Sequence, residues 1–205
     1  MKRIFGIVAI LLMASGIATA AEYWHFGAGA RVTGVMPGDD YSNALGSGLL
    51  LTFGNPDSRF TTQFDLDVWD VKYNKDDSLI ETQPLGDTVI TYKKRDFEYY
   101  GLGIGAFEKY RFYDISANFS SYVIGGLGGY FLNRKRETRD DTGALIVKSI
   151  DGMQSLFQMA GGIGFEGKFN QHLMGFIEGR YVAFLNGDKA YKNLMKGYLG
   201  IRYVF

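Results

Sequence analysis

Polar and apolar residues alternate one by one along much of the chain. Phe60, Thr62, Phe64, Leu66 and Val68 interleave with Thr61, Gln63, Asp65 and Asp67. Phe157, Met159, Gly161, Ile163 and Phe165 interleave with Gln158, Ala160, Gly162, Gly164 and Glu166. The last ten residues place Gly197, Leu199, Ile201, Tyr203 and Phe205 against Lys196, Tyr198, Gly200, Arg202 and Val204. Successive strand side chains point to opposite faces, so each segment predicts a strand with one greasy face and one polar face.

Eight such segments are legible. The first covers about Tyr23 to Gly34, the second Ala44 to Phe53, and the third starts near Arg59. The fourth ends in Tyr100 to Ala106, the fifth contains Tyr122 to Tyr130, and the sixth is the Phe157 to Glu166 run. The seventh covers Leu173 to Phe184, and the eighth is terminal. In the fifth, glycine falls on both parities and the faces cannot be told apart. Upstream of Tyr100 the parity of Phe97 and Tyr99 does not match that of Leu102 and Ile104, which predicts a bulge or a different register there. Short connections fall at Gly54-Asn55-Pro56-Asp57-Ser58, a compact turn composition, and at Lys168 to His172. Longer ones fall at Met36–Asn43, Asn74–Thr88, Asn133–Asp151 and Leu185–Asn193. Asp141-Thr142-Gly143, flanked by Ala144 to Val147, predicts that the fifth and sixth strands continue as a hairpin.

The N terminus changes what these strands can be. Lys2 and Arg3 precede an apolar stretch, Ile4 to Met13, and Ala18-Thr19-Ala20 supplies small residues for cleavage after Ala20. Residues 1–20 are therefore an expected export signal, and 21–205 one expected domain. No later stretch approaches 18 consecutive apolar residues. There is no cysteine for a lipid anchor or a disulfide framework. Aromatics make up 16% of the chain and glycine is abundant, with 28 copies against 3 prolines. An exported chain of alternating strands, with short turns and longer loops in turn, predicts an all-β fold: a closed eight-stranded antiparallel up-and-down transmembrane β-barrel. Closure is required because hydrocarbon leaves a strand edge without hydrogen-bond partners. The expected location is the outer membrane, with the short turns on the periplasmic side. Aromatics then fall near both interfaces: Tyr23, Trp24, Phe53, Phe60, Phe165, Tyr203 and Phe205 at one, and Trp69, Tyr73, Tyr92, Tyr130, Tyr181 and Tyr191 at the other.

The polar parity then becomes the lumen. It includes His25, Gln63, Gln158 and Tyr198 with four acids, Asp65, Asp67, Glu166 and Glu178, and four bases, Arg31, Arg180, Lys196 and Arg202. A barrel of eight strands is only wide enough for side chains to fill it, and buried charges must be paired. A locked ionic plug is the expected arrangement, with a narrow gated path for small solutes as the alternative.

The export signal, the strand Tyr122-Val123-Ile124-Gly125-Gly126 and the ending Tyr203-Val204-Phe205 resemble the small OmpX/OmpW-like outer-membrane barrel families, over essentially all of Ala21 to Phe205. The resemblance implies a porin-like architecture and a monomer among outer-membrane lipid and lipopolysaccharide. It also implies an assembly signal for the barrel-assembly machinery at Leu199, Ile201, Tyr203 and Phe205. It specifies activity hardly at all.

Candidate chemistry is sparse. Ester hydrolysis normally needs an activated nucleophile with a His base, and the two histidines, His25 and His172, both fall near predicted periplasmic ends. A PagL-type lipid A deacylase carries His-x-Ser-Asn after an Arg; here Arg180 is followed by Ala183 and Leu185 where His and Ser would stand. A lipid-modifying enzyme is thus disfavoured, and no cofactor is expected. Removing Lys2 and Arg3 leaves 20 basic against 22 acidic side chains, which is no footprint for nucleic acid. The acidic doublets Asp39-Asp40, Asp76-Asp77 and Asp140-Asp141, and Asp188, lack calcium-loop spacing. The sequence therefore points to a non-catalytic structural, surface-interaction or envelope-integrity role.

Overall fold

The computed structural model describes residues 25–37, 42–54, 59–72, 81–85, 88–92, 94–139, 145–185 and 193–205. The expected export signal, Tyr23, Trp24, Tyr73, Tyr191, the turn residues 55–58, the three acidic doublets and Asp188 lie outside them.

Among the described residues ten strands follow in chain order: β1 (Phe26–Met36), β2 (Ala44–Phe53), β3 (Phe60–Lys72), β4 (Glu81–Leu85), β5 (Thr88–Tyr92), β6 (Lys94–Ser116), β7 (Phe119–Arg139), β8 (Leu145–Lys168), β9 (Leu173–Phe184) and β10 (Asn193–Val204). Eight of them close an antiparallel barrel in the order β1-β2-β3-β6-β7-β8-β9-β10, and β10 pairs back onto β1 from Gly27↔Val204 to Met36↔Met195. The remaining two, β4 and β5, form a separate hairpin inside the connection expected as a long loop.

The alternation sorts as a barrel in hydrocarbon demands. On β3 Phe60, Phe64, Leu66 and Val68 are exposed on the outer wall while Thr61, Gln63, Asp65 and Asp67 are buried in the lumen. Leu49, Phe157, Ile163, Ile177 and Leu199 continue the outer apolar band around the wall. In water an apolar surface of this extent would drive aggregation; in a bilayer it is the solvated face.

Several inward glycines make room for the filling. A Cβ on Gly101 would strike the Trp69 indole, on Gly103 the Tyr130 ring, on Gly164 the Tyr122 ring and on Gly200 the Phe176 ring. Gly54 is required for a different reason: its φ of 134° lies where side chains are rarely tolerated, and its amide donates to the His25 carbonyl at 3.2 Å.

Three expectations are corrected. No bulge precedes Tyr100: β6 keeps one register with β7 from Lys94 to Arg111. The irregularities sit at the other end of the strand, between Arg111 and Tyr113 and between Asp114 and Ser116. The fourth barrel strand therefore runs ten residues past Ala106, to the turn Ala117-Asn118. Trp69 and Tyr130, expected on the outer aromatic belt, are buried inside the lumen at 4% and 2% exposure. On the fifth barrel strand the parity resolves, with Ser120, Tyr122, Ile124 and Tyr130 buried and Val123 and Leu127 exposed.

Strand length is uneven. β6, β7 and β8 have 23, 21 and 24 residues, whereas the other barrel strands have 10 to 13. β8 meets β9 only from Gln158 to Lys168, so Leu145 to Leu156 is laddered to β7 alone among the described residues. The fifth and sixth barrel strands continue as expected, paired as far as Arg139↔Leu145, while the turn expected at Asp141-Thr142-Gly143 lies outside the described residues.

Candidate functional site: the barrel lumen

Inward parity brings charges of six strands, β1, β3, β6, β8, β9 and β10, into one column. In its middle, Arg31 of β1 reaches Asp65 (2.9 Å) and Asp67 (2.7 Å), both on β3. Arg180 of β9 meets Asp65 at 2.6 Å across the lumen and is also paired with Glu178 two residues earlier on its own strand. Lys196 of β10 contacts Asp67 at 3.3 Å and the Tyr130 hydroxyl. Tyr198 donates to Asp67 at 3.2 Å, and Tyr122 donates to Glu178 at 2.9 Å. Three acids thus face three bases, all nearly inaccessible, with the guanidinium of Arg31 lying 4.1 Å from the Tyr198 ring centroid. Charges this deep persist only when paired and hydrogen-bonded on most sides.

The register places Lys196 beside Arg180 on the neighbouring strand, Lys196↔Arg180, so like charges are adjacent and each turns to an acid of β3.

A second cluster lies nearer the short turns. Glu166 of β8 accepts from Lys109 (2.5 Å), Arg111 (3.3 Å), Arg202 (3.3 Å) and the Ser120 hydroxyl (3.4 Å). Lys109 and Arg111 were missing from the sequence-derived set because the fourth strand was ended at Ala106. The parity Gly101, Gly103, Gly105, Phe107, Lys109 runs on unbroken, and following it would have found Lys109. Lys109 lies 4.4 Å from the Tyr122 ring centroid, and the Tyr122 hydroxyl bonds Glu178, so the ring bridges the two clusters.

Toward the long strands the lumen turns apolar. Val35, Leu132, Leu156, Val182, Leu194 and Phe184 belong to one buried cluster with Trp69 and Tyr130. Phe184 meets Tyr130 edge-on at 5.5 Å, and Trp69 meets Tyr130 at 5.7 Å. This collar was not anticipated, because attention to charge marked only the polar members of the inward face.

The remaining candidates lie apart. His25 is half-buried with Nδ1 3.3 Å from the Phe205 carbonyl oxygen. His172 places Nδ1 2.9 Å from the Val204 carbonyl and stacks on Tyr203 at 5.5 Å. Ala183 and Leu185 sit at the far end of β9, Leu185 exposed. The proposed assembly residues Leu199, Ile201, Tyr203 and Phe205 all project from the outer wall. Phe205 stacks on Phe26 at 5.5 Å, and its amide donates to the Phe26 carbonyl at 2.8 Å, sealing the terminus onto β1. Chemically, the described residues bring ion pairs and phenols together in the lumen, with the Ser120 hydroxyl donating to Glu166.

No protein-family model and no curated protein matches the sequence. Solved structures do match. The attachment invasion locus protein Ail of Yersinia pestis, solved in complex with the heparin analogue sucrose octasulfate, superposes with a TM-score of 0.52 at 12% identity, covering 89% of this chain and 99% of that one. The outer membrane protein OprG of Pseudomonas aeruginosa superposes with a TM-score of 0.53 at 14% identity, covering 89% of this chain and 96% of that one. At such identities the likeness speaks for architecture: the chain has the closed eight-stranded fold of small outer-membrane β-barrels.

Proposed function

We propose that this is a non-catalytic outer-membrane protein whose barrel is a closed anchor and whose working surface is the extension of β6, β7 and β8. The observation that carries the reading is the filled lumen: a matched charge lock in the middle and an apolar collar above it, in a barrel with little room to spare. Either layer opposes a solute, the first by pairing and the second by excluding water. The outer wall's apolar band supports placement in hydrocarbon. In this reading residues 1–20 are a cleaved export signal, the short turns face the periplasm, and the chain is a monomer surrounded by lipid and lipopolysaccharide.

What then remains for interaction is the part that outruns the barrel. An unpartnered strand edge is a template for another strand, and among the described residues, 145–156 present about 40 Å of it at roughly 3.3 Å per residue. The charge-bearing run Arg134, Lys135, Arg136 lies on the neighbouring strand of the same extension. Placement and orientation are tested together by inserting a peptide epitope between Asp141 and Thr142 or between Ala117 and Asn118. Antibody should stain intact cells carrying the first insertion and reach the second only after the envelope is opened. Staining of the second in intact cells, or of neither after permeabilisation, would overturn the placement.

A further inference from the structure

A carboxylate on the outer wall stands at the head of an apolar groove. On β3 the outward residues run Phe64, Leu66, Val68, all apolar, and the next is Asp70. Asp70 is exposed and makes no hydrogen bond or ion pair among the described residues. Glu108, an outward acid on β6, differs: the Thr62 hydroxyl donates to it at 2.8 Å. The register sets Asp70 beside Tyr100 of β6, and Tyr100 beside Asn133 of β7, so these three polar side chains form one outward row. The next outward row toward the short turns, Val68, Leu102 and Phe131, is apolar, and Leu66 and Ile104 follow it.

A groove of about 760 Å³ lies along the first two rows, closed at its sides by Leu45 and Ser47 of β2 and by Met153 of β8. That volume is ordinary for a ligand site. Asp70 is the one charged residue in its lining, so nothing in the groove itself neutralises it. A carboxylate only accepts hydrogen bonds, and its complement is a cation. A hard divalent ion would take several more oxygen ligands, and no group of three acidic or histidine side chains comes together among the described residues. A primary ammonium asks less: three donors, with Asp70 as the charged acceptor and the Asn133 amide oxygen as a neutral one. The apolar row then calls for a hydrocarbon chain attached to that ammonium.

We propose that this groove holds a membrane lipid whose headgroup carries a primary ammonium. Its ammonium meets Asp70, and its chain lies over Val68, Leu102 and Phe131 and continues onto the apolar band. The site rests on the reading that this wall stands in hydrocarbon, and it is the same whichever end of the barrel faces outward.

The refolded protein, in neutral detergent, is equilibrated with an equimolar mixture of dioleoyl phosphatidylethanolamine, phosphatidylcholine and phosphatidylglycerol, and the lipid it retains is read by native mass spectrometry. Wild type should retain the ethanolamine lipid over the choline lipid by about threefold, the scale of one exposed ion pair, and the anionic lipid least. Asp70→Asn should abolish the preference, whereas Asp114→Asn, at an exposed acid of the opposite end, should keep it. Ser47→Phe, which fills the groove from the outer wall, should lower retention of all three lipids. Free ethanolamine in excess should not displace the bound lipid. Equal retention of the three lipids by a folded wild type would overturn the proposal, as would a preference that survives Asp70→Asn or is lost equally in Asp114→Asn. Heat-modifiability reports the barrel and the lipid ratio reports the groove, so failure of the membrane reading is distinguishable from failure of the site.

Discussion

Arg180 shows how the lumen holds itself together. Its guanidinium meets Asp65 and Glu178 and lies 4.2 Å from the Phe107 ring centroid, with almost no exposure. Removing such a group leaves the Glu178 carboxylate in a low-dielectric space without the base it was paired with, which costs far more than the intact pair contributes. Arg180→Met should therefore lower stability by about 3–5 kcal/mol, read as a fall in the urea midpoint of the bilayer-refolded protein. Adding Glu178→Gln to it should recover part of the loss, because Glu178 was paired with Arg180 whereas Asp65 keeps Arg31. A single variant as stable as the wild type would mean that water reaches the cluster and the lock is not dry.

At the scale of the strand, closure of the barrel depends on β10. Its outer face, Leu199, Ile201, Tyr203 and Phe205, meets lipid, while its inner face brings Lys196, Tyr198 and Arg202 to the charge clusters. Deleting Phe205 removes the stack on Phe26 and the last bond to its carbonyl without touching the lumen. The expected result is a barrel that is still heat-modifiable after refolding in vitro but reaches the outer membrane in reduced amount in cells, measured by fractionation and immunoblot. Undiminished delivery would remove the assembly role from this residue.

Strands are also where the sequence was most and least informative. Period-two alternation located all eight barrel strands, and the second, from Ala44 to Phe53, to the residue. It sorted the faces wherever polar and apolar residues differ in kind, as on β3. It failed where the signal is size rather than polarity. Trp69 and Tyr130 look like belt residues, yet they point inward because Gly101 and Gly103 on β6 leave space for their rings. The collar escaped for the same reason, since Val35, Leu132, Val182 and Leu194 carry no charge to mark the inner parity. Lys109 and Arg111 were lost to a strand end placed too early, and their grouping around Glu166 depends on pairing across three strands that a single sequence does not display.

For the whole molecule, the two ends are built for different tasks. Toward the long strands the lumen is capped by apolar side chains, and three strands continue beyond it with an edge that is unpaired among the described residues. Toward the short turns, Phe60, Phe112, Tyr113, Phe119, Phe165, Phe169 and Phe205 crowd the outer wall, a girdle suited to an interface, around the Glu166 cluster. Between them sits the charge lock. The central claim is that this column is shut, and single-channel recording in planar bilayers tests it most directly, with wild type beside Glu178→Gln and Arg180→Gln, each verified as folded by heat-modifiability. The account predicts silence from the wild type at all voltages that the bilayer withstands. Reproducible conductance steps from the wild type, altered in size by either substitution, would contradict it and make the lumen a path.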